Sequence, residues 1–79
     1  MNVEVSFGKV LRNLREEKNL SQEQLALLSE LDRTYISLLE RGKRRPTINT
    51  LIALSEALEI EPSEIIEKMV ANIYNEQKN

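Results

Sequence analysis

The sequence predicts an all-α fold, five short helices packed as one compact domain over residues 1–79. Three observations carry this. Apolar residues recur at helical spacing almost throughout the chain. Two glycines, two prolines and few β-branched runs leave no segment that reads as a strand. Helix-opening residues stand at the head of each apolar stretch.

In "VSFGKVLRNLREEKN", Phe7, Val10, Leu11 and Leu14 recur at helical spacing behind Ser6 as N-cap, predicting a first helix over 6–18. Ser21 followed three residues later by Gln24 is the capping-box pattern. It opens a second helix over about 22–29, with Leu25, Ala26 and Leu28 facing inward. Asp32 caps a third helix over 33–41, in which Ile36 and Leu39 point one way and Arg33, Thr34, Ser37 and Leu38 point elsewhere. Gly42 stands where a helix C-terminal glycine belongs. After the connector "KRRP", Thr47 caps a fourth helix with Ile48, Leu51, Ile52, Leu54, Ala57 and Leu58 as its apolar set. Pro62 suits the first turn of a fifth helix, where its missing N–H is no loss; that helix is expected to run to about 75, with the polar "NEQKN" end fraying.

Composition narrows the function classes. A chain of 79 residues has little room for a second domain or a large catalytic cleft. Its 41% hydrophobic and 30% charged content is too apolar and too evenly patterned for disorder. The absence of histidine and cysteine removes the usual zinc ligands, the usual general base and the thiol nucleophile. Without a glycine-rich phosphate loop either, no catalytic constellation stands out, and no metal, cofactor or small-molecule ligand is expected. There is no long apolar run for a membrane span, "MNVEVSFGKV" lacks a signal-peptide pattern, and no disulfide is available, so a cytoplasmic protein is expected.

Charge is divided along the chain. Residues 1–46 carry nine Lys/Arg against seven Asp/Glu, a net of +2, whereas residues 47–79 carry two against six, a net of −4. The acidic total is set by the tail and leaves a polyanion partner open to the front half. Arg41, Lys43, Arg44 and Arg45 crowd directly behind the third helix, with no acid following them until Glu56.

The stretch "SQEQLALLSELDRTYISLLERG" resembles the helix-turn-helix of the lambda-repressor-like, Cro-type (Xre) DNA-binding proteins. Ser21-Gln22, Leu25-Ala26, the Ile36/Leu39 pair and "LERG" fall at that family's spacing, and "RRPTINTLIALSEALEIEPSEI" looks like its fourth helix and the start of its fifth. The resemblance covers roughly residues 6–69, with the helix-turn-helix at about 22–41. Within the family, "LDRTYIS" most resembles the controller proteins of restriction–modification systems, stand-alone dimeric regulators of similar length. One position departs from the pattern. Glu30 occupies the turn where the family often has glycine or asparagine, and a positive φ there costs on the order of 1 kcal/mol.

A helix fits the major groove, and the N-terminal residues of the second helix of this motif reach the base edges. Arg33 and Thr34 are therefore expected to read bases, with Ser37 and Leu38 one turn further along. Arg33 suits guanine O6 and N7, and Thr34 offers a hydroxyl and a methyl. The bland reading of Arg33 is a solvated arginine beside Asp32. Arg41, Lys43, Arg44 and Arg45 are expected to lie along the DNA backbone, against the alternative of a solvated loop with balancing acids nearby. Thr47 and Asn49, at the start of the fourth helix, are lesser candidates for the same role. The resemblance also gives Gln22 a phosphate contact beside the free N–H groups of a helix start; a plain first-turn residue is the other reading. Tyr35 is open between a phosphate donor and a half-buried packing residue. Arg15 and Glu40 are a structural ion pair by resemblance, clamping the first helix to the third.

Ile65, Ile66, Met69, Val70, Ile73 and Tyr74 form a stripe along the fifth helix that is broad for covering one side of a small domain. With Ile60, it predicts a two-fold homodimer; a monomer whose core absorbs the whole stripe is the alternative. Two reading helices one DNA turn apart, roughly 34 Å, then demand a near-palindromic operator. The expected function is a homodimeric, sequence-specific transcriptional regulator on double-stranded DNA, with autoregulation implied by the controller-protein resemblance. A rival from another class is an antitoxin-like or other protein-interaction module working through the apolar C-terminal helix over about 62–75.

Overall fold

The structure, a computed structural model, describes residues 2–78, with side chains through residue 75. It holds α1 (Val3–Glu17), α2 (Gln22–Ser29), α3 (Arg33–Glu40), α4 (Ile48–Ala57) and α5 (Pro62–Lys78), and no strand among the described residues. α1 lies between α3 and α5, while α2 packs on α3 and α4 and α4 touches α5.

The first helix starts three residues earlier than its apolar pattern suggests. Asn2 is the N-cap, its side chain accepting the Val5 N–H at 3.0 Å. Glu4 in the first turn adds a favourable charge at the positive end of the helix. Ser6 is therefore no cap; it is buried inside α1, and its hydroxyl donates to the Met69 carbonyl of α5 at 3.0 Å. At the other end, α5 continues past the expected stop at 75 to Lys78, and residue 79 of the "NEQKN" segment lies outside the described residues.

Four helices close with the same backbone device, a residue at positive φ followed by an amide that reaches back five positions. Asn19 (φ 57°), Glu30 (φ 58°), Gly42 (φ 71°) and Glu59 (φ 54°) supply it after α1, α2, α3 and α4. The returning bonds run from Leu20 to the Arg15 carbonyl, from Leu31 to Ala26, from Lys43 to Leu38 and from Ile60 to Ser55.

The core is one cluster drawn from all five helices. Phe7, Leu11, Leu25, Ile36, Leu39, Leu54, Leu58 and Ile65 are at most 1% exposed. Gly8 lets α1 approach the end of α3: a Cβ there would lie 2.5 Å from the Leu39 carbonyl oxygen and 2.6 Å from that of Glu40. Three expected core residues turn outward. Leu28 is 58% exposed, Ile48 73% and Ile52 40%. Ile48 and Ile52 sit one turn apart and share a stripe of α4, whose packing face is set instead by Leu51, Leu54 and Leu58.

Candidate nucleic-acid interface

The α2–turn–α3 unit is fixed at each of its joints. Ser21 and Gln24 close a reciprocal capping box: the Gln24 N–H donates to Ser21 Oγ at 3.0 Å and the Ser21 N–H to Gln24 Oε1 at 2.8 Å. α2 ends on Glu30 at φ 58°, so the turn keeps its left-handed residue although the side chain is not glycine. Asp32 then starts α3, its carboxylate accepting the Thr34 N–H at 2.7 Å.

That cap settles which face α3 shows. Ile36 and Leu39 are wholly buried, so Arg33 and Thr34 stand exposed, with Ser37 and Leu38 half-buried one turn on. Arg33 forms no ion pair with Asp32, whose carboxylate serves the cap. No hydrogen bond or ion pair engages the Arg33 side chain among the described residues.

Behind this face, an ionic network locks three helices together. Arg15 Nε donates to Glu40 Oε2 at 2.6 Å and its Nη2 to Oε1 at 3.0 Å, while Nη1 reaches the Leu20 carbonyl at 2.8 Å. The Arg15 and Glu40 side chains are only 12% and 4% exposed. The hydrogen bond to Glu40 raises the Arg15 pKa; burial works against it, and the Glu40 charge adds to the rise. Gln22 belongs to the same network, its amide donating to Glu40 Oε1 at 3.1 Å. This corrects the expectation of a side chain aimed at DNA. Gln22 is half-buried and tied inward, and what it leaves outward at the start of α2 is its backbone N–H.

Tyr35 and Thr47 are also anchored. Tyr35 is half-buried against the core, and its hydroxyl lies 3.2 Å from Thr50 Oγ1. Thr47 caps α4 by accepting the Thr50 N–H at 3.0 Å, and its own hydroxyl donates to Thr50 Oγ1 at 3.0 Å. The Thr47 hydroxyl is thus taken up by the cap, against its expected role on the DNA backbone. Thr50 is buried, so a spare hydroxyl hydrogen on it would go unmet. The arrangement that wastes none has Thr50 donating to Tyr35, which leaves the Tyr35 hydrogen for an acceptor outside. Asn49, at the same helix start, is exposed.

The basic connector divides into unlike parts. Lys43 is bonded through its backbone to α3, and its side chain and that of Arg44 are exposed without an ion pair among the described residues. Arg41 Nε leans back on the Ser37 carbonyl at 3.3 Å. Arg45 Nε meets Glu4 Oε1 of α1 at 2.8 Å. Glu4 and Thr50 were not singled out in the sequence. Thr50 sits three residues from a recognised cap, but no sequence signal links Glu4 to a loop so far along the chain.

On α5 the broad stripe separates into two. Ile65 (1% exposed) and Ile73 (9%) are buried within the monomer, and Ile60 and the half-buried Met69 pack against the core. Ile65 and Ile73 are thereby corrected from interface to core residues. Ile66 (46%), Val70 (60%) and Tyr74 (58%) remain on the outside at i, i+4 and i+8, one continuous helix stripe.

Comparison with known proteins agrees with this fold. A helix-turn-helix family model matches residues 11–65. The control protein C.BamHI of Bacillus amyloliquefaciens is 39% identical over 67 residues, covering 84% of this chain and 83% of that protein. The crystal structure of the restriction–modification controller protein C.AhdI from Aeromonas hydrophila is 51% identical with a TM-score of 0.76, covering 77% of this chain and 92% of that one. The controller protein C.Esp1396I, solved as a tetramer in complex with its natural 35-base-pair operator, is 35% identical with a TM-score of 0.85, covering 94% of this chain and 97% of that one.

Proposed function

This chain belongs to the Xre-type helix-turn-helix family that includes the restriction–modification controller proteins, and from that premise we propose that it is a homodimeric, sequence-specific regulator of transcription acting on double-stranded DNA. The observation that carries the proposal is the state of α3. Its inner face is fully buried and braced by the Arg15–Glu40–Gln22 network, while Arg33 and Thr34 stand exposed at its first turn, with no partner for Arg33 among the described residues. A rigid helix presenting a free guanidinium and a hydroxyl is what direct readout in the major groove requires.

In this reading Arg33 donates two hydrogen bonds to a guanine, Thr34 and Ser37 meet neighbouring base edges, and Leu38 borders a thymine methyl. Lys43 and Arg44, with Arg41 and Arg45 beside them, Asn49, the Tyr35 hydroxyl and the first N–H groups of α2 hold phosphates. Thr47 supports the contact by fixing the start of α4 and the Thr50–Tyr35 chain. The Ile66–Val70–Tyr74 stripe joins two copies, so that two α3 helices meet successive major grooves of a near-palindromic operator. No helix among the described residues is long and apolar enough to cross a membrane, which fits a cytoplasmic regulator.

Binding of a labelled duplex measured over a salt series tests the proposal. Contacts from Lys43 and Arg44 on both protomers predict a log–log slope of about −3.6, at about 0.9 per phosphate. A flat salt response would rule out backbone contact by the connector. Sedimentation of the free protein as a monomer at micromolar concentration would rule out the dimer.

A further inference from the structure

We propose that Glu4 is a built-in competitor of the DNA phosphate for Arg45, and so limits the affinity and salt response of the interface; this rests on the reading that the 41–45 connector meets the DNA backbone. Arg45 Nε lies 2.8 Å from Glu4 Oε1 as an ion pair, with the arginine side chain 86% exposed and the carboxylate 27% exposed. The acid is the fixed member of the pair. It sits in the first turn of α1, where the helix dipole favours its charge.

The connector is pressed onto that same turn. Gly42 takes its left-handed φ against Val5, where a Cβ would lie 3.0 Å from Val5 Cγ2. Pro46 biases the Arg45 backbone toward the extended region. Val3, Glu4, Arg45 and Pro46 together line the cleft between the two segments. Of the four basic residues, Arg45 is the one with a carboxylate partner among the described residues; Lys43 and Arg44 have none, and Arg41 leans on a carbonyl.

The consequence is an exchange of anions. For Arg45 to hold a phosphate it must leave Glu4, and the freed carboxylate then stands near the DNA backbone with its charge unmatched. The counterions released on binding are the cations held by the DNA, and a freed Glu4 carboxylate beside the phosphates retains some of them, so the Arg45 contact adds little to the salt slope.

The test compares wild type, Glu4→Gln, Arg45→Gln and the double variant, each binding one fluorescein-labelled mixed-sequence duplex long enough for two successive major grooves. Circular dichroism melts check that all four remain folded. Glu4→Gln should bind about two- to five-fold more tightly at low salt, with a log–log slope steeper by up to about 0.9 per protomer. The gain should vanish in the Arg45→Gln background. Unchanged or weaker binding by Glu4→Gln would overturn the proposal while leaving the DNA-binding reading intact. An equal gain with and without Arg45 would also overturn it, since Glu4 would then act only as a charge that repels DNA. Absence of binding by all four proteins would overturn both.

Discussion

Replacing Glu40 with alanine strands the Arg15 guanidinium in a pocket where it is 12% exposed and leaves it without its carboxylate. Three hydrogen bonds to Glu40 disappear, two from Arg15 and one from Gln22. Removing one member of a buried ion pair costs about 3–5 kcal/mol, because the remaining charge keeps its desolvation penalty and loses its compensation. A chain of 79 residues has a total stability of about 4–12 kcal/mol on the usual per-residue scale, so this variant should lie near the edge of folding. At about 4–8 °C per kcal/mol, Tm should fall by at least about 12 °C. Urea titration and thermal melts followed by circular dichroism read both quantities. The Arg15→Met/Glu40→Leu double variant should recover most of the loss, since a well-packed apolar pair carries no desolvation penalty. A loss below about 1 kcal/mol for Glu40→Ala would show that Arg15 and Glu40 contribute no more than an exposed pair. The pH dependence has a definite sign on the Arg15 side. Its pKa is raised in the folded state, so its contribution is present in full below the unfolded value and fades only as pH climbs through the folded one. Both lie far above neutrality, and the arginine should therefore cause no loss of stability between pH 7 and about 10.

Other perturbations separate packing from surface roles. Gly8→Ala places a methyl against the Leu39 and Glu40 carbonyls, which are backbone and cannot swing aside. It should lose about 1–3 kcal/mol in urea, although alanine is the better helix former. Ile65→Ala should destabilise by about 2–4 kcal/mol, while Val70→Asp should change the monomer's stability by under about 0.5 kcal/mol and convert a dimer to a monomer in sedimentation. The reverse pattern would place the interface on the wrong side of α5.

Much of this structure is legible in the sequence because local chemistry writes it. The Ser21–Gln24 capping box, the Asp32 and Thr47 caps, Gly42 and Pro62 each mark a helix end by one specific hydrogen-bonding or φ requirement, and those ends lie within a residue of their expected places. Periodicity was less reliable. It reads Leu28, Ile48 and Ile52 as inward because hydrophobicity reports what a residue tolerates and not which neighbour covers it. The broad α5 stripe hides the same ambiguity: the fold buries Ile65 and Ile73 and leaves Ile66, Val70 and Tyr74 out, a division only the helix–helix register decides. Partners distant in sequence were least visible. That Gln22 turns toward Glu40, that Tyr35 joins Thr50, and that Arg45 finds Glu4 all depend on how finished helices dock.

Base reading by Arg33 is tested by selecting bound duplexes from a random DNA pool, in parallel with wild type and Arg33→Ala. Wild type should enrich an inverted repeat containing guanines, and the preference at those guanines should be lost in the variant. Enrichment of no sequence, or of the same sequence by both proteins, would contradict base reading by Arg33 at the exposed first turn of α3.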